Sequence, residues 1–408
     1  MVDIRVKQFK SHIGKAFASS WLNAISRLVF YSILTKVGGI EAIGAWGLGT
    51  ALAEPILKFS TLGMRSVQAT DRENTFSFKS FLAIRAFLLI VAIFVCYVGY
   101  LLVPVESGLA PFVGFAILSR VAESIFDIST GEFQRRKGFD FIALSSAARI
   151  SSVCVFFILV FVLELKIYVG LFVFVALQFL QALLELLFCA VTQKSGSDVH
   201  PPSKTAYKNM LTNSVHVGLA AGSVSFLMNV NRFTLSFLGT ISAVGILTAA
   251  SMLIGLGQIV VRGLTLVILP LLAGKENTEL DLDRKVQVLE HAAVVIMMFV
   301  GCAIAFFGEP LLLLIFNQDV ANERLFVGAF VGVSGLRFAS TLSHNRMLGR
   351  KIFRKETSAL PLYLVFGVAV SIISIVILEI WGSVIASVLT WGFVWHRRRV
   401  ILSASDAV

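Results

Sequence analysis

Charge is scarce in this chain. Asp, Glu, Lys and Arg make up 14% of its 408 residues, about half the share in an average soluble domain. Histidine is rarer still. His12, His200, His291 and His396 fall near the ends of apolar runs, and His216 and His344 have no acid–base partner visible in the sequence. The four cysteines, Cys96, Cys154, Cys189 and Cys302, each lie in an apolar run without the spacing of a metal site, so they read as small buried hydrophobes. No Walker A sequence is present, which excludes an ATP-phosphate loop of that kind.

What fills the chain instead is hydrocarbon. Hydrophobic residues are 57% of it and the mean hydropathy is +0.86, too apolar for a soluble protein of this length, so an all-α polytopic membrane protein is predicted. Polar residues gather in short clusters between apolar runs of about 20 residues, each long enough to cross about 30 Å of hydrocarbon as a helix. Twelve spans are expected, at 17–35, 43–63, 80–103, 111–131, 139–162, 167–192, 211–238, 243–272, 288–308, 323–346, 358–379 and 381–396. The apolar stretch from Glu309 to Phe316 is too short to cross and reads as a re-entrant or interfacial piece.

Lys and Arg set the orientation. Of 35, 24 fall on the side that carries both termini and only Lys36, Lys166 and Arg324 on the other, which places both termini in the cytoplasm. The net charge of +11 is then mostly a topology signal and calls for no nucleic-acid partner. The basic start runs straight into a full-length apolar run with no small-residue cleavage site, so retention of the first helix is expected.

The longest hydrophilic connection, "TQKSGSDVHPPSKTAYKN" at 192–209, divides the spans six and six. The predicted organisation is an N-terminal bundle over 1–192, a cytoplasmic linker over 193–209 and a C-terminal bundle over 210–408. Six being even, both halves start on the same side, so any repeat between them is parallel. An echo supports one: residues 40–44 and 241–245 both fit Ile-x-Ala-[Ile/Val]-Gly, each preceded by an amide and an arginine, Asn23 with Arg27 and Asn229 with Arg232.

Eight cations are embedded in the spans, Arg27, Lys58, Arg85, Arg120, Arg149, Arg232, Arg262 and Arg337, against four acids, Glu54, Glu123, Asp127 and Glu185. Glu54 with Lys58, and Arg120 with Glu123 and Asp127, have the spacing of local helical pairs. Lys58 and Arg85 lie near the basic ends, where a long stem can snorkel. Arg27, Arg149, Arg232, Arg262 and Arg337 have no acid within four residues, so another helix, water or a ligand must meet their charge. A rigid bidentate fork suits a phosphate, which makes these five candidate anion-binding residues. Asn23, Arg27 and Tyr31 share a helical face, as do Asn229, Arg232 and Ser236; such faces suit sugar hydroxyls and equally suit interhelical hydrogen bonds. Glu54 precedes Pro55, where a kink would free carbonyls beside the carboxylate. Glu54, Glu123 and Asp127 are the candidates for binding a coupling proton or sodium ion. The spacings of Gly218 with Gly222 and of Gly328 with Gly332 read as close helix packing.

Four stretches carry a family resemblance: "ILTKVGGIEAIGAWGLGTALAEPILKFSTLGMRSVQATDRE", "NVNRFTLSFLGTISAVGILTAASML", "IVVRGLTLVILPLLAGKEN" and "GEPLLLLIFNQDVANERL". They resemble the polysaccharide-transporter branch of the multidrug/oligosaccharidyl-lipid/polysaccharide exporter superfamily, and within it Wzx-type O-antigen flippases. The resemblance implies two MATE-like six-helix bundles around a cationic cavity that opens alternately to either side of a bacterial inner membrane. It also implies a substrate, undecaprenyl pyrophosphate-linked oligosaccharide, passed from the cytoplasmic to the periplasmic leaflet, with phosphates on arginines such as Arg27 and Arg232 and the lipid tail in the bilayer. A polysaccharide polymerase and a chain-length regulator are the protein partners consistent with that role, and a proton or sodium gradient rather than a cofactor would drive it. Many relatives have an acid before the arginine of the seventh helix; here Asn231 stands there, so that coupling role does not carry over. Two rivals differ in class. A membrane polymerase or ligase of lipid-linked glycans would want a sizeable outer loop, whereas the longest, about 309–322, holds only Glu309 and Asp319 as charges. An exporter of cationic drugs would have its cargo repelled by the same arginines.

Overall fold

A computed structural model of the chain describes residues 2–65, 68, 78–136, 139–192, 204–272, 279–349 and 353–406. All regular structure among them is helical. Helix α1 (Val2–Thr61) takes in the first two expected spans and is turned at Gly39, whose φ of 77° and ψ of −178° suit only glycine. The backbone keeps helical dihedrals through Pro55, and the turn at Gly39 falls between the first two expected spans. There follow α2 (Phe78–Leu102), α3 (Ala110–Arg135), α4 (Phe139–Phe157, extended by a π-helical turn, Ile158–Val162), α5 (Ile167–Val191), α6 (Lys204–Leu238), α7 (Ile241–Leu272) and α8 (Glu279–Phe307). A short helix, α9 (Glu309–Ile315), occupies the stretch read as too short to cross, and another, α10 (Gln318–Asn322), follows it. The chain ends with α11 (Arg324–Gly349) and α12 (Phe353–Asp406), the latter turned at Glu379 with φ 50° and ψ −127°.

Among the described residues, eight helical stretches are long and apolar enough to cross a membrane. Two of them, Ala18–Thr61 and Glu356–Ala404, have 44 and 49 residues, about twice what one crossing needs, and the turns at Gly39 and Glu379 divide each in two. The expected spans at 111–131 and 211–238 fall on α3 and α6, which are not among the eight. Arg120, Glu123 and Asp127 interrupt the apolar run of α3, and Asn229, Asn231 and Arg232 that of α6.

Contacts divide the chain into two compact units, Met1–Ser26 with Ala45–Phe226, and Arg27–Gly44 with Leu227–Val408. Of the expected linker, residues 193–203 and the side chains of 204–209 lie outside the described residues. In the first unit α5 packs against α3 and α4, and Phe78, Ile128, Phe133 and Cys189 form a buried cluster. Cys96 and Cys189 are buried as expected, but Cys154 and Cys302 are exposed on apolar helix surfaces. Glycine sets the closest approaches. A Cβ on Gly218 would lie 2.6 Å from Cα of Leu62, and one on Gly222 2.3 Å from the Phe59 ring.

In the second unit α8 and α11 meet backbone to backbone: a Cβ on Gly301 would lie 2.4 Å from the Gly328 carbonyl oxygen, and one on Gly328 2.5 Å from that of Gly301. The two halves of the sequence echo also meet here. A Cβ on Gly44 would lie 2.2 Å from the Ile241 carbonyl oxygen, and one on Gly245 2.2 Å from that of Ile40. The contact is reciprocal, as it is for two copies of one motif related by a two-fold axis.

Ion pairs tie the Lys/Arg-rich ends of the helices. In the first unit Asp127 on α3 is held by Arg65 and by Arg85 on α2, each at 3.0 Å. Arg85 is 3% exposed, so it does not snorkel; a carboxylate meets it in the interior. Glu132, past the end of the 111–131 span, is buried and accepts from Gln68, Arg135 and Arg136. Burial works against its charge, but the hydrogen bond and charge of Arg135, with Gln68 and Arg136, hold its carboxyl below the usual range. In the second unit Glu290 on α8, an edge-of-span acid that the count of four omits, accepts from Arg346 and Trp395, each at 3.1 Å. Glu356 binds Arg398 and, at 2.5 Å, His344, the histidine with no partner visible in sequence.

Two stability predictions follow from the backbone. Glu379→Gly relieves a left-handed residue and is expected to raise stability by about 1 kcal/mol, read as a higher midpoint of thermal unfolding in detergent. Gly301→Val drives a side chain into the Gly328 carbonyl and is expected to leave little folded protein on size-exclusion chromatography.

Candidate functional site

Polar side chains inside the spans form one set in each unit. The second unit's set starts on α6. Residues 229, 231 and 232 cannot share one helical face, and the structure uses the two directions differently. Arg232 donates from Nη1 to Oδ1 of Asn229 at 2.7 Å, both side chains being buried. Asn231 points to α12. Its Nδ2 donates to the Ser383 carbonyl at 3.1 Å and to Ser387 Oγ at 3.0 Å, while its Oδ1 accepts from Ser371 Oγ at 2.8 Å. Ser371 also meets Thr234 Oγ1 at 3.1 Å. Asn231 thus fastens α6 to both segments of α12 as a neutral, fully engaged hub. The reading of position 231 as a missing carboxylate did not foresee this use.

On α11, Arg337 donates from Nη2 to Oε1 of Gln258 on α7 at 3.2 Å. An amide oxygen fixes a guanidinium in place without cancelling its charge. In the spans of this unit from 211 onward carboxylates stand only at the ends, as Glu290, Glu323 and Glu379, whereas Arg337 stands in the middle and Arg232 six residues in from the end of its helix. The Arg262 side chain lies outside the described residues. Arg27 is exposed, and Tyr31 is 2% exposed with a buried hydroxyl that has no hydrogen-bond partner.

In the first unit, Asn23 does not extend the Arg27 face. Its amide donates to Ser146 Oγ on α4 at 3.1 Å, where Ser19 also meets Ser146 at 2.6 Å, the interhelical use of polar residues. Arg149 donates to Ser145 Oγ at 3.2 Å and lies over the Phe126 ring, 4.0 Å from its centroid, a cation–π contact. Of the acids expected to couple an ion, Glu123 pairs with Arg120 at 2.6 Å and Asp127 with Arg65 and Arg85. Glu54 is half-buried on α1. Among the described residues no group of three or more His, Cys, Asp and Glu could hold a metal ion.

No protein-family model matches the chain. Over 340 residues it is 21% identical to the capsular polysaccharide biosynthesis protein CapF of Staphylococcus aureus, covering 80% of this chain and 83% of that one. Among solved structures it resembles an inward-facing multidrug resistance MATE family transporter of the MOP superfamily, with TM-score 0.69, 16% identity, and 95% and 96% of the two chains covered. A MOP superfamily transporter from Pyrococcus furiosus, described as having a binding pocket of reverse polarity, gives TM-score 0.65 at 16% identity over 97% and 96% of the chains. The eukaryotic MATE transporter AtDTX14 gives 0.65 at 14% identity over 98% and 96%. The chain therefore has the MATE-like fold of a polytopic membrane protein.

The Asn231 hub makes a prediction of its own. Asn231→Asp removes two donors and turns a charge toward the Ser383 carbonyl, so stability is expected to fall by about 1–3 kcal/mol, measured by thermal unfolding in detergent; an unchanged midpoint would refute the hub.

Proposed function

We propose that this protein is a flippase for an anionic lipid-linked oligosaccharide, of the undecaprenyl pyrophosphate type, carried from the cytoplasmic to the periplasmic leaflet of a bacterial inner membrane by alternating access. The observation that carries the reading is the charge of the second unit. Arg337 stands in mid-span and Arg232 six residues in from the end of its helix, oriented by Gln258 and Asn229, in spans whose carboxylates lie only at the ends. Permanent positive charge kept in a membrane interior favours an anion, and the fork of a guanidinium matches phosphate oxygens. The amides and hydroxyls beside these arginines suit a sugar passing in water. The weak likeness to a capsular polysaccharide biosynthesis protein points the same way.

Multidrug transport, named for one structural relative, fits this chain less well, because a cationic drug would be repelled by the same arginines. No side-chain set described above supports a glycan polymerase or ligase, and α9 and α10 fill the longest outer loop with short helices.

Arg232→Gln and Arg337→Gln are each expected to abolish surface polysaccharide in a cell that depends on this protein, with lipid-linked intermediate accumulating and the protein level unchanged. Removing one charge-assisted phosphate contact weakens binding by about 1.5–3 kcal/mol, a loss of about ten- to a hundredfold. Wild-type polysaccharide in both variants would defeat the assignment.

A further inference from the structure

One embedded acid has no part in the scheme above. Glu185 stands on α5 one turn beyond Gln181, so the two share a face. Gln181 Nε2 donates to the Ala148 carbonyl at 2.7 Å and to Ser151 Oγ at 3.2 Å, both on α4. Those two acceptors fix which way the amide points and leave Oε1 able only to accept. Oε1 of Gln181 is buried and has no hydrogen-bond partner, and the same holds for Oε2 of Glu185. The carboxyl's remaining contact is with Ser145, whose hydroxyl also accepts from Arg149 at 3.2 Å. Two buried oxygens on one helical face, both acceptors and neither with a donor, are an unfavourable arrangement that a single hydrogen between them would resolve.

We propose that Glu185 is a proton-binding site, a neutral carboxylic acid whose Oε2–H donates to Oε1 of Gln181. On deprotonation the O–H bond breaks, its electron pair stays on the carboxylate and the proton passes to water, which the half-buried side chain can reach. The carboxylate then faces Ser145 and the charge of Arg149. Of the charged groups on the helices packed against α5, Arg149 on α4 acts on Glu185. Glu132 on α3 and Arg136 just beyond it act one turn further on, at Cys189. Helix α1 meets α5 at Trp46 and Phe174, three turns away.

The site does not depend on the flippase reading, but its use as the coupling group rests on it. A protonated Glu185 no longer offsets the charge of Arg149 and so makes an anion there more favourable. By linkage, an anion at Arg149 favours the proton at Glu185 by the same factor.

The test is infrared difference spectroscopy of the full chain in lipid nanodiscs as the pH is raised. The expected result is a protonated-carboxyl C=O band in the wild type that disappears at high pH and is missing from Glu185→Gln. In Gln181→Leu, which keeps the acid but removes its acceptor, the band moves to higher frequency. A band that persists in Glu185→Gln, is absent from the wild type or is unmoved in Gln181→Leu overturns the proposal. So does a band abolished in the wild type by sodium at constant pH, which would make this a metal-cation site. Loss of polysaccharide export in Arg232→Gln or Arg337→Gln has no bearing on the spectrum, so the two readings fail separately.

Discussion

An arginine in a membrane span has no neutral form to retreat to, and much of this structure answers that constraint. Two kinds of answer occur. Near the Lys/Arg-rich ends the guanidinium meets a carboxylate from another helix, as Arg85 meets Asp127 and Arg346 meets Glu290. Deeper in, Arg232 and Arg337 are gripped by amide oxygens, and Arg149 by a hydroxyl and an aromatic face. The first arrangement neutralises charge and fastens helices. The second holds a guanidinium by neutral groups and fixes its direction.

This division explains the unequal character of the helices. The apolar α2, α5 and α8 carry much of their hydrophobic surface exposed, as lipid-facing helices do. The polar α3 and α6 bring polar side chains inward, and those of α6 are held by buried neighbours such as Ser387 and Ser371 on α12. Where two backbones must come very close, as between α8 and α11, glycine makes room, and the density gained there is the main force joining helices when the solvent is itself apolar.

Most of the fold was legible in the sequence because a span is a local property, set by length and apolarity within one segment. The short α9 and the helix-packing glycines were anticipated by the same local reading. Partners were not, since they lie between segments far apart in the chain. Arg85 looked like a snorkelling residue because Asp127 is 42 positions away. His344 has no partner within one helical turn, because Glu356 stands 12 residues on, at the start of the next helix. Asn231 was noticed for what it replaces, and only its three bonds to α12 show what it does. Gln258 gave no signal at all, being one amide in an apolar run.

The Asn231 hub is uncharged, whereas the guanidiniums of Arg232 and Arg337 in the same unit are charged at every physiological pH. An electric potential across the bilayer therefore exerts no net force on the fastening of α6 to α12, yet it pulls on Arg232 and Arg337. One elementary charge moved through the whole field does work of about 2.3 kcal/mol per 100 mV. Any displacement of these residues along the membrane normal is thus electrogenic, and the energised state of the cell acts on the protein through its arginines even when no ion is carried.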